Sequence, residues 1–538
     1  MFGIAMPVFT SQLLLLIAPR ALCQSPSTVS TPQGIYHPDT SIGGVEQFLG
    51  IRYAEPPVGA LRFAAPVPYA SGDAAQHVDA TRYGPACLQD AGFEADNGLS
   101  EDCLTLNIFR PASMVPSNTS SATSSNTTTD TNANEPPSPL LPVLVYIYGG
   151  ANIGGQSRHY TAANLVLHSL GALPPTTPNR TTTTRAAPAT PVLTITLNYR
   201  TGALGFLANT LFARRNLLNL GLKDQRLALA WVRDHVRAFG GDPARVTVFG
   251  QSAGAFDAWM QVRALYNTLD AFVQLPVGFG VDGEWVGGED YWDEAAAQIP
   301  MIIGDVLNEG SLYGLVPTGL ATNETYLAQV VAKNLRTTNL ALARPVLSTY
   351  YNHTAAQNGR GHAADPTAPD SYYVGEAVLG DAVQDIPRRV NLARHAAGAD
   401  ALNRTTGVKR SAANSSAATQ EETGAKTWGY RWSQRPPLST FDERFYGFPP
   451  GVPAANKIRA GVLHAAELGS VFGDVYGWVP DVPHWDNYNP LSAAIFNFED
   501  QGPTTPSMVP DDMRLDSYNA YRDAAAKAGL PPLPEIRV

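Results

Sequence analysis

Cysteine is scarce in this chain, with three among 538 residues, which excludes a fold stapled by several disulfides and leaves a hydrophobic core to hold the structure. Apolar residues make up 44% of the sequence, enough for that core. Charge is also sparse, at 16%. The balance is acidic, with a net charge of −10 and no cluster of Lys or Arg. That excludes nucleic acid as a partner. No internal repeat is present, and past the N-terminus no apolar run is long enough to serve as a stable membrane anchor. The one apolar stretch, residues 2–19 with Leu13-Leu14-Leu15-Leu16-Ile17, is short for a span and interrupted by polar residues. Ala21 and Cys23 place small residues at −3 and −1 before Gln24, so residues 1–23 are expected to be a signal peptide, although no basic residue precedes the run. Seven N-x-S/T sequons, at Asn118, Asn126, Asn179, Asn323, Asn352, Asn403 and Asn414, agree with a secreted, extracellular glycoprotein. Cys23 would leave with the signal. Cys87 and Cys103 would remain, as a disulfide in an oxidising compartment or, alternatively, as two buried thiols.

Three segments lack the periodicity that packing requires. Residues near 113–139 are rich in Ser, Thr and Asn, those near 173–191 in Pro, Thr and Ala, and those near 403–426 in small polar residues. Each reads as a solvated surface insertion in one domain spanning 24–538. Strand-like runs resume between them at 143–148, 192–198, 246–249, 300–303 and 428–432, with helical patterns at 222–239 and 287–298. Strands alternating with helices predict an α/β fold with a mostly parallel central sheet covered on both faces.

Within that pattern Gly250-Gln251-Ser252-Ala253-Gly254 fits G-x-S-x-G. An apolar, β-branched run, Arg245-Val246-Thr247-Val248-Phe249, precedes it, and a helical run from Ala255 to Met260 follows. A serine on such a strand-to-helix turn exposes its hydroxyl as a nucleophile. Five common residues taken alone fit a structural turn equally well.

Other blocks decide between those readings. Gly50-Ile51-Arg52-Tyr53-Ala54-Glu55-Pro56-Pro57-Val58-Gly59, Ser100-Glu101-Asp102-Cys103-Leu104, Asn198-Tyr199-Arg200-Thr201-Gly202-Ala203-Leu204-Gly205-Phe206, Asn219-Leu220-Gly221-Leu222-Lys223-Asp224-Gln225-Arg226 and Phe239-Gly240-Gly241-Asp242-Pro243 follow one another in order. With them the chain resembles the type B carboxylesterase/lipase family of α/β-hydrolases, which includes the cholinesterases. The resemblance implies a serine ester hydrolase with Ser252 as nucleophile, Glu309 of Asn308-Glu309-Gly310 as acid, and His464 of Gly461-Val462-Leu463-His464-Ala465-Ala466-Glu467 as base. Asp305 is a rival acid at the same strand end. The oxyanion hole would use the N–H groups of Gly150, Ala151 and Ala253. Here Ala151 and Asn152 replace a glycine and an aromatic of the family pattern, and the hole survives if Ala151 does not need a positive φ. The resemblance pairs Cys87 with Cys103, and Arg62 with Glu101 and Arg200 with Asp224 as structural ion pairs. No metal or organic cofactor is called for.

The loop between the two cysteines holds 15 residues with one aromatic, Phe93. It lacks the tryptophan that a choline site uses and the length of a lipase lid, so a small soluble ester is the expected substrate. Only 56 residues separate Ser252 from Glu309, far fewer than the family has. The register jumps near Gln261-Val262, where a strand, several helices and a second disulfide are expected. An internal deletion, by splicing or in the gene model, would account for it. The alternative to an esterase is therefore a non-catalytic or misfolded truncated member of the same family.

Overall fold

The computed structural model of the chain describes residues 28–70, 73–89, 98–112, 139–171, 190–263, 300–306, 322–354, 370–405, 426–432, 493–498, 507–530 and 532–537. The expected insertions fall almost wholly outside these residues, as do the signal segment and the helical pattern at 287–298.

The first sheet is built from β1 (Val45–Arg52), β2 (Thr105–Pro111), β3 (Leu141–Ile147), β4 (Leu193–Leu197) and β5 (Gly241–Gly250), in the spatial order β5-β3-β4-β2-β1. β5, β3 and β4 run parallel, while β2 is antiparallel to both of its neighbours. Every residue of β2 and β4 is buried. That follows from their near-continuous Leu, Ile and Thr character, which suits strands covered on both faces. α1 (Ala163–Ser169), α2 (Leu220–His235) and α3 (Ala253–Arg263) flank the sheet. α2 turns Leu222, Ala228, Trp231 and Val232 inward onto the cluster formed by Phe48, Ile108, Val143, Val145, Ile195 and Phe239.

A second sheet, β6 (Met301–Val306), β7 (Thr427–Trp432), β8 (Ala494–Phe498) and β9 (Ser507–Pro510), has the order β6-β7-β8-β9 and is parallel except for its last pair. Its own core joins α4 (Glu324–Asn334), α5 (Leu340–Asn352), α6 (Asp370–Gly380), α7 (Ile386–Thr405) and α8 (Leu515–Lys527) through Leu327, Val331, Val346, Leu347, Ile495 and Tyr518. The five candidate strands are thus all present, but in two sheets. Among the described residues β5 and β6 each have a neighbour on one side only. The consequence shows in their burial. Thr247 of β5 is exposed and Val246, Val248 and Phe249 are half-covered, and Ile302 of β6 is 57% exposed. Each of the two strands thus presents one edge of backbone groups without a strand partner among the described residues.

Buried ion pairs tie each half together. Arg200 makes a bidentate contact with Asp224 at 2.6 and 2.8 Å, as expected, and Arg62 pairs with Glu101 at the surface. The C-terminal half contains a cluster that no sequence motif announces. In it Arg388 and Arg389 meet Asp511, while Arg514 meets Asp381 and Asp385, and all six are buried. A buried charge left without its partner costs roughly 3–5 kcal/mol, so each of the six is locked in by the others.

Cys87 and Cys103 form a disulfide with Cα atoms 5.1 Å apart, both side chains buried. Closing a loop of this size restrains the unfolded chain. Replacing both cysteines by alanine is predicted to lower the unfolding free energy by about 3 kcal/mol, measured by urea denaturation of the full chain.

Candidate active site

β5 ends at Gly250 and α3 begins at Ala253, which leaves Gln251 and Ser252 to make the turn. Ser252 has φ +56, in the left-handed region, where an L-residue with a Cβ pays about 1–2 kcal/mol. Two glycines let the surroundings impose that conformation. A Cβ on Gly250 would lie 2.3 Å from the Gly254 carbonyl oxygen, and one on Gly254 would lie 2.1 Å from the Ile147 carbonyl oxygen. Neither clash can relax, because backbone lies on both sides. The turn is closed by the Gly254 N–H donating to the Gln251 carbonyl at 2.9 Å and the Ala255 N–H donating to the Ser252 carbonyl at 3.0 Å. Ser252 is partly exposed and sits at the N-terminus of an eleven-residue helix, whose dipole favours negative charge there.

The loop after β3 packs against this turn. A Cβ on Gly149 would lie 2.8 Å from the Ser252 Cβ and 2.6 Å from the Gln251 carbonyl oxygen, so the missing side chain is what allows the contact. The next three residues, Gly150, Ala151 and Asn152, have φ of +114, +54 and +59. The sequence reading required Ala151 to avoid a positive φ. It does not avoid it, because the loop must double back and its Cβ is carried at a conformational cost. Gly150 accepts from the Ile153 N–H at 3.0 Å, and the Asn152 carbonyl accepts from the Gly202 N–H at 2.7 Å.

The structure therefore brings Ser252, Ala253, Gly150 and Ala151 into one neighbourhood at the end of β5 and β3. Glu309 and His464 lie outside the described residues. Asp305 belongs to β6, in register with Arg431 of β7.

One residue that sequence reasoning passed over stands beside the site. Asp257, one turn into α3, is fully buried. It accepts from Asn152 Nδ2 at 3.1 Å and from Gln225 Nε2 at 2.5 Å, and Gln261 Nε2 in turn donates to Gln225 Oε1 at 3.0 Å. Burial pushes its pKa up from 3.8 to about 7, against the pull of the two amide donors. A carboxylate between Phe256 and Ala258, in a helix whose neighbouring positions are apolar, was the available signal.

The sequence model of the carboxylesterase family matches residues 29–274. Over that stretch the chain is similar to the carboxylesterase family. The matched residues contain the whole first sheet, the loop after β3 and the turn at Ser252. A secreted lipase of Arthroderma benhamiae is 35% identical over 243 residues, which cover 44% of this chain and 36% of the lipase. Para-nitrobenzyl esterase of Bacillus subtilis is 36% identical over 231 residues, covering 42% of this chain and 37% of the esterase. Acetylcholinesterase of Bungarus fasciatus is 38% identical over 233 residues, 41% of this chain and 31% of that enzyme. The chain thus spans about a third of the length of these relatives.

The raised pKa of Asp257 sets a pH dependence of stability. The folded state keeps a proton that the unfolded chain releases above about pH 4. The stabilisation from this group is complete below that pH and is lost as pH rises to about 7. In Asp257→Asn that slope is predicted to vanish. The Tm of the wild type minus that of the variant should fall between pH 4 and 7 and level off above, in thermal melts followed by circular dichroism.

Proposed function

We propose that this chain is a secreted serine hydrolase that cleaves small carboxylic esters through an acyl-enzyme. The observation that carries the reading is the left-handed Ser252 at the strand-to-helix turn, with the glycine loop seated against it. Strain of this kind persists where the surroundings over-determine it, and it clusters at active sites. The match of residues 29–274 to the carboxylesterase family, and relatives named as lipases and esterases, support ester hydrolysis.

In the proposed reaction Ser252 Oγ attacks the ester carbonyl carbon while His464 takes the hydroxyl proton. Glu309 orients His464 and stabilises its positive charge. The N–H groups of Gly150, Ala151 and Ala253 receive the oxyanion, each such donor being worth roughly 3–4 kcal/mol in the transition state. As the tetrahedral adduct collapses, the carbon–oxygen bond to the leaving group breaks and His464 returns the proton to the alcohol. Water then repeats the sequence on acyl-Ser252, releasing the acid. The step asks for no metal or organic cofactor.

Export is supported by the Cys87–Cys103 disulfide and by a matched relative named as secreted. Among the described residues no helix is long and apolar enough to cross a membrane. A single domain with surface insertions remains the proposed organisation.

A second reading has its own observation. β5, the strand that aims Ser252, is a half-exposed edge, and β5 and β6 belong to separate sheets. This favours an internal deletion near Gln261-Val262, and with it an inactive truncated member of the family. Turnover of p-nitrophenyl acetate by the purified chain separates the two. The esterase reading predicts hydrolysis that falls at least ~10³-fold in Ser252→Ala. Absence of turnover by the folded wild-type chain favours the truncated product.

A further inference from the structure

The oxyanion loop of this chain carries two replacements relative to the pattern it resembles, and both sit in the left-handed region. Ala151 and Asn152 must therefore be held there by something outside the loop, because consecutive non-glycine residues at positive φ do not hold themselves. Asn152 is buried, and its side chain reaches out of the loop. Nδ2 donates to Asp257 Oδ1 at 3.1 Å, and Oδ1 lies 3.3 Å from the Tyr199 hydroxyl, which itself donates to the Tyr148 carbonyl at 2.8 Å. Behind Asp257 the chain of contacts continues into α2 and back to α3 through Gln225 and Gln261, and Gln261 Nε2 also donates to the Leu222 carbonyl at 3.0 Å. One end of this buried network is thus the oxyanion loop, and the other is the pair of helices that supports the nucleophile turn.

We infer that Asp257 and Asn152 are paired positioning residues, through which the helix carrying the nucleophile turn fixes the backbone of Gly150 and Ala151 at the oxyanion site. The pairing explains why the two departures from the family pattern occur together. A glycine at 151 would accept the loop conformation freely, whereas alanine needs it enforced. An aromatic at 152 would fill space, whereas asparagine supplies a directed donor that only a buried acceptor can satisfy. The buried amide of Asn152 without that acceptor would carry the full cost of desolvation, so the loop cannot leave its place without breaking the contact. The inference rests on the esterase reading for its catalytic meaning but not for its structural content.

Asp257→Ala removes both acceptors. Asn152→Gly removes the donor while leaving a residue that accepts φ +59. Asp257→Asn keeps an oxygen for Gln225 and turns an amide toward a flipped Asn152, so it serves as the conservative rescue. With p-nitrophenyl acetate, Asp257→Ala and Asn152→Gly are expected to lose about 10²-fold in kcat with KM changed less than about threefold, because misplaced donors act on the transition state. Asp257→Asn should stay within about tenfold of wild type in kcat. Hydrogen exchange measured by mass spectrometry on the peptide spanning residues 149–155 should quicken in the first two variants and not in the third. Unchanged exchange of that peptide in both folded variants overturns the inference, whatever their activity, and so does an activity loss borne by KM alone. If the wild-type chain turns over no ester, the esterase reading fails and the exchange result alone decides whether the anchor exists.

Discussion

The site depends on one close approach of backbone to backbone, that of Gly254 against the end of β3. The Ile147 carbonyl oxygen occupies the place where a side chain on residue 254 would begin. That contact fixes how α3 leaves the sheet, which in turn fixes φ at Ser252 and the seat of Gly149 against the turn. The parallel pairing of β5 with β3, with Gly250 opposite Ile147, brings the two strand ends level so that both loops meet. Close backbone packing, together with the Ala255 N–H donating to the Ser252 carbonyl, thus holds the serine in a conformation it would not choose.

Polar groups inside the two halves are handled in different ways. In the first half, single buried pairs such as Arg200 with Asp224 and Arg110 with Glu46 pin loops and strands to their neighbours. The second half gathers three arginines and three aspartates into one cluster, at the point where α6, a short π-helical turn over Asp381–Asp385 and α7 meet the start of α8. Buried charge of this kind specifies arrangement more than it adds stability, since its members are dear to desolvate and dearer still to leave alone. The Asp257 network is of a third kind, because it joins α3 to the glycine loop after β3 and carries a carboxyl whose protonation shifts near neutrality.

Much of the first sheet was legible in the sequence. Strands such as Leu193–Leu197 announce themselves by continuous apolar and β-branched character, and the elbow by small residues at fixed offsets. Motifs resembling the family's pointed to the Cys87–Cys103 disulfide and the Arg200–Asp224 and Arg62–Glu101 pairs, and all three are present. The left-handed φ of Ala151 was not legible, because alanine carries no conformational signature, and only the path of the loop demands it. Nor was the Asn152–Asp257 contact, which joins residues 105 positions apart and needs the fold to bring them together. The helices of the second half were missed for a related reason. α7 is rich in Ala, Arg and Asn with little amphipathic contrast, and it is buried by long-range partners the local pattern does not reveal.

The match to the carboxylesterase family model ends at residue 274, shortly after α3. The glycine loop packs directly on the Ser252 turn, while β5 has a strand neighbour on one side only among the described residues. The esterase reading stands on Ser252 being a working nucleophile, activated by His464 and Glu309. Its most direct test is to treat the native purified chain with a fluorophosphonate and locate the adduct by peptide mass mapping. A single adduct on Ser252, lost when the protein is denatured beforehand, is the predicted result. A folded chain that stays unlabelled at Ser252 would contradict it.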